Sequence, residues 1–115
     1  MNFQVRFSKS AVRDVEAVLT YTLKRFGKRK HAEYKSLIRE ALKDIAADPL
    51  RFPAKHRPEQ HPDARTFHVA RKGRRATHFF LYRVSTRQCI DIGRLLHDAM
   101  DLGLHLPPGF DVNKP

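Results

Sequence analysis

THFFLYRVSTRQCIDIGRLLHDAMD, residues 77–101, is the stretch that decides the fold. From His78 to Val84 the apolar residues occupy both parities, with Phe80, Tyr82 and Val84 against Phe79 and Leu81. That pattern marks a central strand covered on both sides. The polar break Ser85-Thr86-Arg87 interrupts it, and Gln88–Leu95 returns with Ile90 and Ile92 on one face, so the pair predicts a β-hairpin. The second run delivers Arg94, His97, Met100 and Asp101 where regular alternation stops. Together with Tyr82 and Arg83 of the first run, these residues form the predicted functional edge.

Working outward to the N-terminus, Phe3, Val5 and Phe7 alternate with Gln4 and Arg6, the period of a half-buried strand. Ser8 offers an N-cap hydroxyl, and the period then changes. Ala11, Val12, Val15, Val18, Leu19, Thr22, Leu23 and Phe26 recur at three and four residues, predicting an amphipathic helix over about 9–26. Gly27 supplies a C-cap. Ala32, Tyr34, Leu37, Ile38, Ala41, Leu42 and Ile45 predict a second helix, closed by Asp48-Pro49. The short connection makes the two an antiparallel helical hairpin.

Residues 49–63, rich in proline, charge and histidine, read as an extended loop. Phe67 and Val69 alternate in a strand over 65–70, and Gly73 serves the turn that follows. The expected architecture is α+β: an N-terminal strand, then an antiparallel helical hairpin packed on one face of a small antiparallel β-sheet. The other face is the expected working surface. A single domain is expected over 1–106, and Pro107-Pro108-Gly109 makes 107–115 an irregular tail.

A chain of 115 residues has room for one core. Its single cysteine, Cys89, precludes an internal disulfide and suits a reducing, cytoplasmic compartment. No apolar run approaches the roughly 20 residues needed to span a bilayer, so no membrane association is expected. Alternation from Phe3 leaves no space for a signal peptide. Lys and Arg number 23 against 12 acids, a net charge of +11 that favours an anionic partner, nucleic acid or acidic protein. The charge gathers in two clusters, Lys24-Arg25 with Lys28-Arg29-Lys30, and Arg71-Lys72 with Arg74-Arg75. A third and weaker reading is therefore a nucleic-acid-binding module using Lys28–Lys30 and Arg71–Arg75.

The seven histidines lack the paired spacing of a zinc site, so no metal is expected, and no glycine-rich loop cradles a cofactor phosphate. No serine has a nucleophile-elbow context, and Cys89 within a strand suits a small buried hydrophobe. One catalytic constellation is compatible with the sequence. Metal-free RNA cleavage needs a base, an acid and cations at the phosphate. His97 offers an imidazole for the proton transfers, and Arg65, Arg83 and Arg94, with Lys55 and Arg57 from the loop, are the available cations. His97 equally suits a structural role closing the last strand, and Arg83 and Arg94 suit pairing with Asp91, Asp98 or Asp101.

Phe7-Ser8 leading through Ala11, Asp14-Val15, Val18 and Tyr21 to Phe26-Gly27 resembles the opening of the ParE toxins of the ParE/RelE superfamily. So does the second helix with Ala32, Tyr34, Ile38 and Ala41, and above all the ending Arg94-x-Leu96-His97-x-x-Met100-Asp101. The resemblance covers about residues 3–101. It implies the toxin of a bacterial type II toxin–antitoxin pair that poisons DNA gyrase and blocks replication without catalysing a reaction. It also implies an acidic ParD-like antitoxin that neutralises the toxin, with operator DNA reached only through the antitoxin complex. RelE-type relatives, the alternative, cut ribosome-bound messenger RNA, often with a tyrosine or histidine near the C-terminus. No tyrosine follows Tyr82 here. On the resemblance, Tyr82, Arg83, Arg94, His97, Met100 and Asp101 would meet the target; His97, Arg83 and Arg94 would be catalytic only in a ribonuclease. Val12, Val15 and Leu19 on the helical hairpin are the expected antitoxin seat, by helix-in-groove or strand-addition binding.

Overall fold

Strand alternation and one broken helix account for most of the chain. The computed structural model describes residues 3–51, 53–59, 61–71, 73–85 and 88–99. In chain order these form β1 (Gln4–Phe7), α1 (Lys9–Ala47), β2 (Lys55–His56), β3 (Ala64–His68), β4 (His78–Val84) and β5 (Cys89–His97). Residues 100–115, with the expected tail, lie outside the described residues.

The helix starts where the sequence places its cap: the Ser8 hydroxyl accepts a hydrogen bond from the Ala11 amide at 3.0 Å. It ends at Asp48, extended as a residue before proline must be (φ −158°, ψ 95°), with Pro49 fully buried beyond. Within it, Gly27 stands at φ 90°, ψ 178°, outside helical space. A straight helix of 39 residues would be about 58 Å long, yet the longest extent of the chain is 43 Å. The Ala46 carbonyl returns to accept from the Phe3 amide at 2.7 Å, beside the start of the strand that leads into the helix. The halves 9–26 and 28–47 are thus the two arms of the expected hairpin, and Gly27 is its corner.

The sheet runs β1-β5-β4-β3-β2. Its β2–β3, β3–β4 and β4–β5 pairs are antiparallel as expected, but β1 joins the β5 edge in parallel, so the sheet is mixed. Period-two alternation shows that a strand exists; it carries no information on direction relative to a partner eighty residues away. The loop 49–63 likewise contributes the two-residue edge strand β2. Opposite Leu81 and Tyr82 the register shifts, so that Leu81 pairs Arg94 while Tyr82 pairs Ile92, with Gly93 the extra residue.

The core lies between helix and sheet. Leu37, Ile38, Ala41 and Ile45 pack with Phe67, Val69, Phe80, Tyr82, Ile90, Ile92 and Leu95. The opposite face, expected to be the open working surface, is closed at its centre. Leu81 and Leu96 are fully buried there, and Thr66 is 5% exposed and accepts from Arg57 Nε at 3.3 Å. An accessible concavity lies on the helix side, at the end of the sheet where β4 begins and β5 finishes.

Candidate functional site

Pairing between β1 and β5 stops at Phe7 and Ile92, leaving the last turn of β5 without a strand on that side. The start of α1 fills the gap. Ser8 donates through its amide to the Ile92 carbonyl at 3.0 Å and through its hydroxyl to the Gly93 carbonyl at 2.7 Å. One turn on, Asp14 accepts from the Leu95 amide at 3.0 Å and from Arg94 Nε and Nη2 at 2.7 and 3.0 Å. These charge-assisted bonds hold the Arg94 guanidinium above its ordinary pKa. Arg94 therefore fastens α1 to β5.

The other residues of the predicted edge separate. Tyr82 is fully buried and its hydroxyl donates to the Pro49 carbonyl at 2.6 Å, so it belongs to the core and not to the surface. Burial raises its phenol well above the usual range. Arg83 lies on the opposite face, its Nε 3.6 Å from the Asp91 carboxylate, which also takes Arg6 Nη2 at 2.8 Å. Met100 and Asp101 lie outside the described residues. Among the described residues of the set, His97 alone lines the helix-side concavity.

There, His97 faces His78 edge to face, with ring centroids 5.3 Å apart. The Ala99 amide donates to His97 Nδ1 at 3.1 Å, which fixes that nitrogen as an acceptor and leaves the proton on Nε2. His78 is also held through Nδ1. The Tyr34 hydroxyl accepts from the Thr77 amide at 3.1 Å and shares a hydrogen bond with His78 Nδ1 at 2.6 Å. Burial, with a smaller push from His97, lowers the His78 pKa from 6.5 to about 4, so its ring is neutral at physiological pH. The His97 ring thus keeps Nε2–H as its donor. Nearby, His68 repeats the device, accepting from the Ala70 amide at 3.1 Å through Nδ1 and reaching Asp98 through Nε2 at 3.2 Å.

Above this floor is a groove of about 570 Å³, walled by Ala17, Val18, Tyr21, Thr22 and Phe26 of the first helical arm. Tyr21 and Phe26 are 62% and 59% exposed and meet edge to face at 6.3 Å. Of the predicted antitoxin seat, Val12 is exposed, while Val15 and Leu19 pack against the core. The open wall is made by Tyr21 and Phe26, with Val18 lining it from the side while also packing against the core. Sequence reading assigned Phe26 and Tyr34 to the apolar stripes; Tyr34 packs against the core and reaches His78 of β4, whereas Phe26, at the hairpin corner, is left exposed. An apolar wall over a hydrogen-bonding floor is a seat for an amphipathic segment. Among the described residues, no three metal-ligating side chains converge. No helix there is long and apolar enough to cross a membrane.

Comparison with solved structures finds the same fold in a chain from the chromosomal ParDE toxin–antitoxin system of P. aeruginosa. The TM-score is 0.65 at 20% identity, covering 83% of this chain and 95% of that one. A chain of the RelBE2 toxin–antitoxin complex from Mycobacterium tuberculosis is also similar, with a TM-score of 0.54 at 23% identity, covering 84% and 99%. At these identities the likeness is one of fold. No curated protein matches in sequence. The profile of the ParE toxins of type II toxin–antitoxin systems, parDE, matches residues 5–102, from within β1 to beyond β5. With that match over most of its length, the chain belongs to the ParE toxin family.

Proposed function

We propose that this ParE-type toxin acts in the cytoplasm by binding and inhibiting DNA gyrase without catalysis, and that a ParD-like antitoxin neutralises it. The observation that carries the non-catalytic reading is the commitment of Arg94 to Asp14. A phosphodiesterase needs a cation free to meet developing charge, and this guanidinium is occupied on two nitrogens. His97 holds its Nδ1 in a backbone hydrogen bond, and Tyr82 is buried. These placements suit a rigid recognition edge, with His97 at the rim and Arg83 on the face behind.

The antitoxin is inferred to lay an amphipathic helix along Val18 and Tyr21, its acidic side chains meeting the basic surface. The solved structures that share the fold come from a ParDE toxin–antitoxin system and the RelBE2 toxin–antitoxin complex, which supports an antitoxin partner. A helix in this groove covers His97, so neutralisation follows from occlusion of the target-facing rim.

A supercoiling assay with purified gyrase tests the target. Inhibition and a trapped cleavage complex at micromolar toxin are expected; inactivity in that assay together with cleaved transcripts after induction would establish the ribonuclease alternative. Tyr21→Glu tests the seat: antitoxin co-purification should be lost while gyrase inhibition persists.

A further inference from the structure

Five cations stand within seven residues at the corner of the helical hairpin: Lys24, Arg25, Lys28, Arg29 and Lys30, around Gly27. No acid occurs between Glu16 and Glu33. The reversal at Gly27 brings both arms' ends together, and all five side chains are on exposed residues. Glu33 approaches Arg29 at 3.6 Å and Lys30 at 3.5 Å, but the Arg29 side chain is 91% exposed and such contacts are weak. Among the described residues, no acidic side chain pairs with Lys24, Arg25 or Lys28.

The second basic cluster of the sequence is different. Arg71 Nη2 rests on the Asp44 carboxylate. Arg74 Nη1 meets Glu40 at 2.7 Å, and its Nη2 donates to the Glu33 carbonyl at 3.4 Å. Those arginines pin the β3–β4 connection to the second helical arm and are largely neutralised. Arg75 of this cluster meets no acidic side chain among the described residues, so the contrast is one of density: the tip holds five cations against the weakly engaged Glu33.

We propose that this tip binds the phosphate backbone of duplex DNA directly and without reading its sequence. Residues 24–30 offer only Lys and Arg as polar side chains, all donors, whereas base-edge readout needs donors and acceptors together. Duplex DNA presents a phosphate charge about every 1.7 Å, which a convex cluster of flexible cations can follow. An acidic protein would need apolar anchors at the centre of its contact. The one apolar side chain of the tip, Phe26, lines the groove, with Arg25 5.8 Å from its ring centre. This contact is independent of the gyrase reading, in which the toxin touches no DNA of its own accord.

The test is fluorescence anisotropy of the full-length toxin, without gyrase or antitoxin, on a labelled mixed-sequence DNA duplex between about 50 and 200 mM salt. Engagement of all five cations gives a slope of log affinity on log salt near −4.5, at about −0.9 per phosphate. The variant Lys24→Gln/Arg25→Gln/Lys28→Gln should fall to about −2 and bind at least about tenfold more weakly, with an unchanged circular dichroism spectrum. Lys28→Gln alone should reduce the slope by about 0.9, which keeps the test open if the triple variant misfolds. An unchanged slope overturns the proposal. So does an equal loss in Lys43→Gln/Lys55→Gln, which would make the binding diffuse. A triple variant that loses a polyglutamate peptide but keeps DNA would reassign the tip to an acidic protein.

Discussion

Asp14 and Arg94, separated by 80 positions in sequence, meet in a two-pronged pair at 2.7 and 3.0 Å that joins the first helical arm to the end of β5 that β1 does not reach. The side chains are 22% and 16% exposed for Arg94 and Asp14, sheltered enough for the pair to matter and too wet for the full cost of a buried charge. Asp14→Ala also leaves the Leu95 amide without its acceptor. A loss of about 2–3 kcal/mol is expected in urea denaturation, and about 2 kcal/mol for Asp14→Asn. A loss below about 0.5 kcal/mol would show the pair to be screened like an ordinary surface ion pair. Any loss of toxicity in Arg94→Ala must accordingly be judged against its stability before it is assigned to target binding.

Acid should weaken the fold through His78. The ring is held neutral, with its pKa lowered from 6.5 to about 4, while the unfolded chain titrates near 6.5. The unfolded state therefore takes up a proton that the folded state refuses. Above pH 6.5 the group is neutral in both states and contributes no pH dependence. As pH falls from about 6.5 to about 4 stability declines, and below 4 this loss is complete. Facing it are the Tyr34 hydroxyl, hydrogen-bonded to its Nδ1, and His97, which disfavours charge on the His78 ring, with Asp98, His68 and Asp14 farther off. Partial solvent access reduces the expected loss to about 2 kcal/mol. His78→Gln should flatten the profile over that window; a profile identical to wild type would remove His78 as its source.

The corner at Gly27 makes a sharper case. At φ 90°, ψ 178° it occupies a region open essentially to glycine alone, and a Cβ added there meets nothing within 4 Å. The cost of Gly27→Ala is therefore backbone strain without a clash, about 1–3 kcal/mol. Gly27→Asn should be no better, because asparagine tolerates the left-handed helical region and not this one. A semisynthetic chain with D-alanine, whose β region mirrors these angles, should equal or exceed the wild type in melting temperature. Equal destabilisation by both alanine enantiomers would point to helix geometry and not to φ.

What could be read in advance was what local physics sets. Ser8, Gly27 and Asp48-Pro49 punctuate the helical arms through caps and sterics, and the strands follow period two. The bulge at Gly93 was hidden, and with it the face of His97. Strict alternation from Ile90 and Ile92 would put residue 97 on the side away from the helices; the extra residue turns Leu95 and His97 onto the helix side, opposite Phe80 and His78. Residue type suggested Tyr82 and Arg94 as working groups. Type cannot reveal that a side chain is already engaged internally, by Pro49 in one case and Asp14 in the other.

Tyr82 makes that distinction measurable. Its ring fills the centre of β4 and its hydroxyl closes the buried Pro49 carbonyl at 2.6 Å. Tyr82→Phe keeps the ring and removes one hydrogen bond, for an expected loss of about 1–2 kcal/mol. Tyr82→Ala opens a cavity the size of the ring and should cost about 3–5 kcal/mol, enough to unfold much of a domain of this size. Gyrase inhibition per folded molecule should be unchanged in Tyr82→Phe, because the hydroxyl never reaches a partner. Inhibition lost by Tyr82→Phe at full stability would instead require the strand to open and present this side chain. Hydrogen exchange at the β4 amides would then have to show that opening on the timescale of binding.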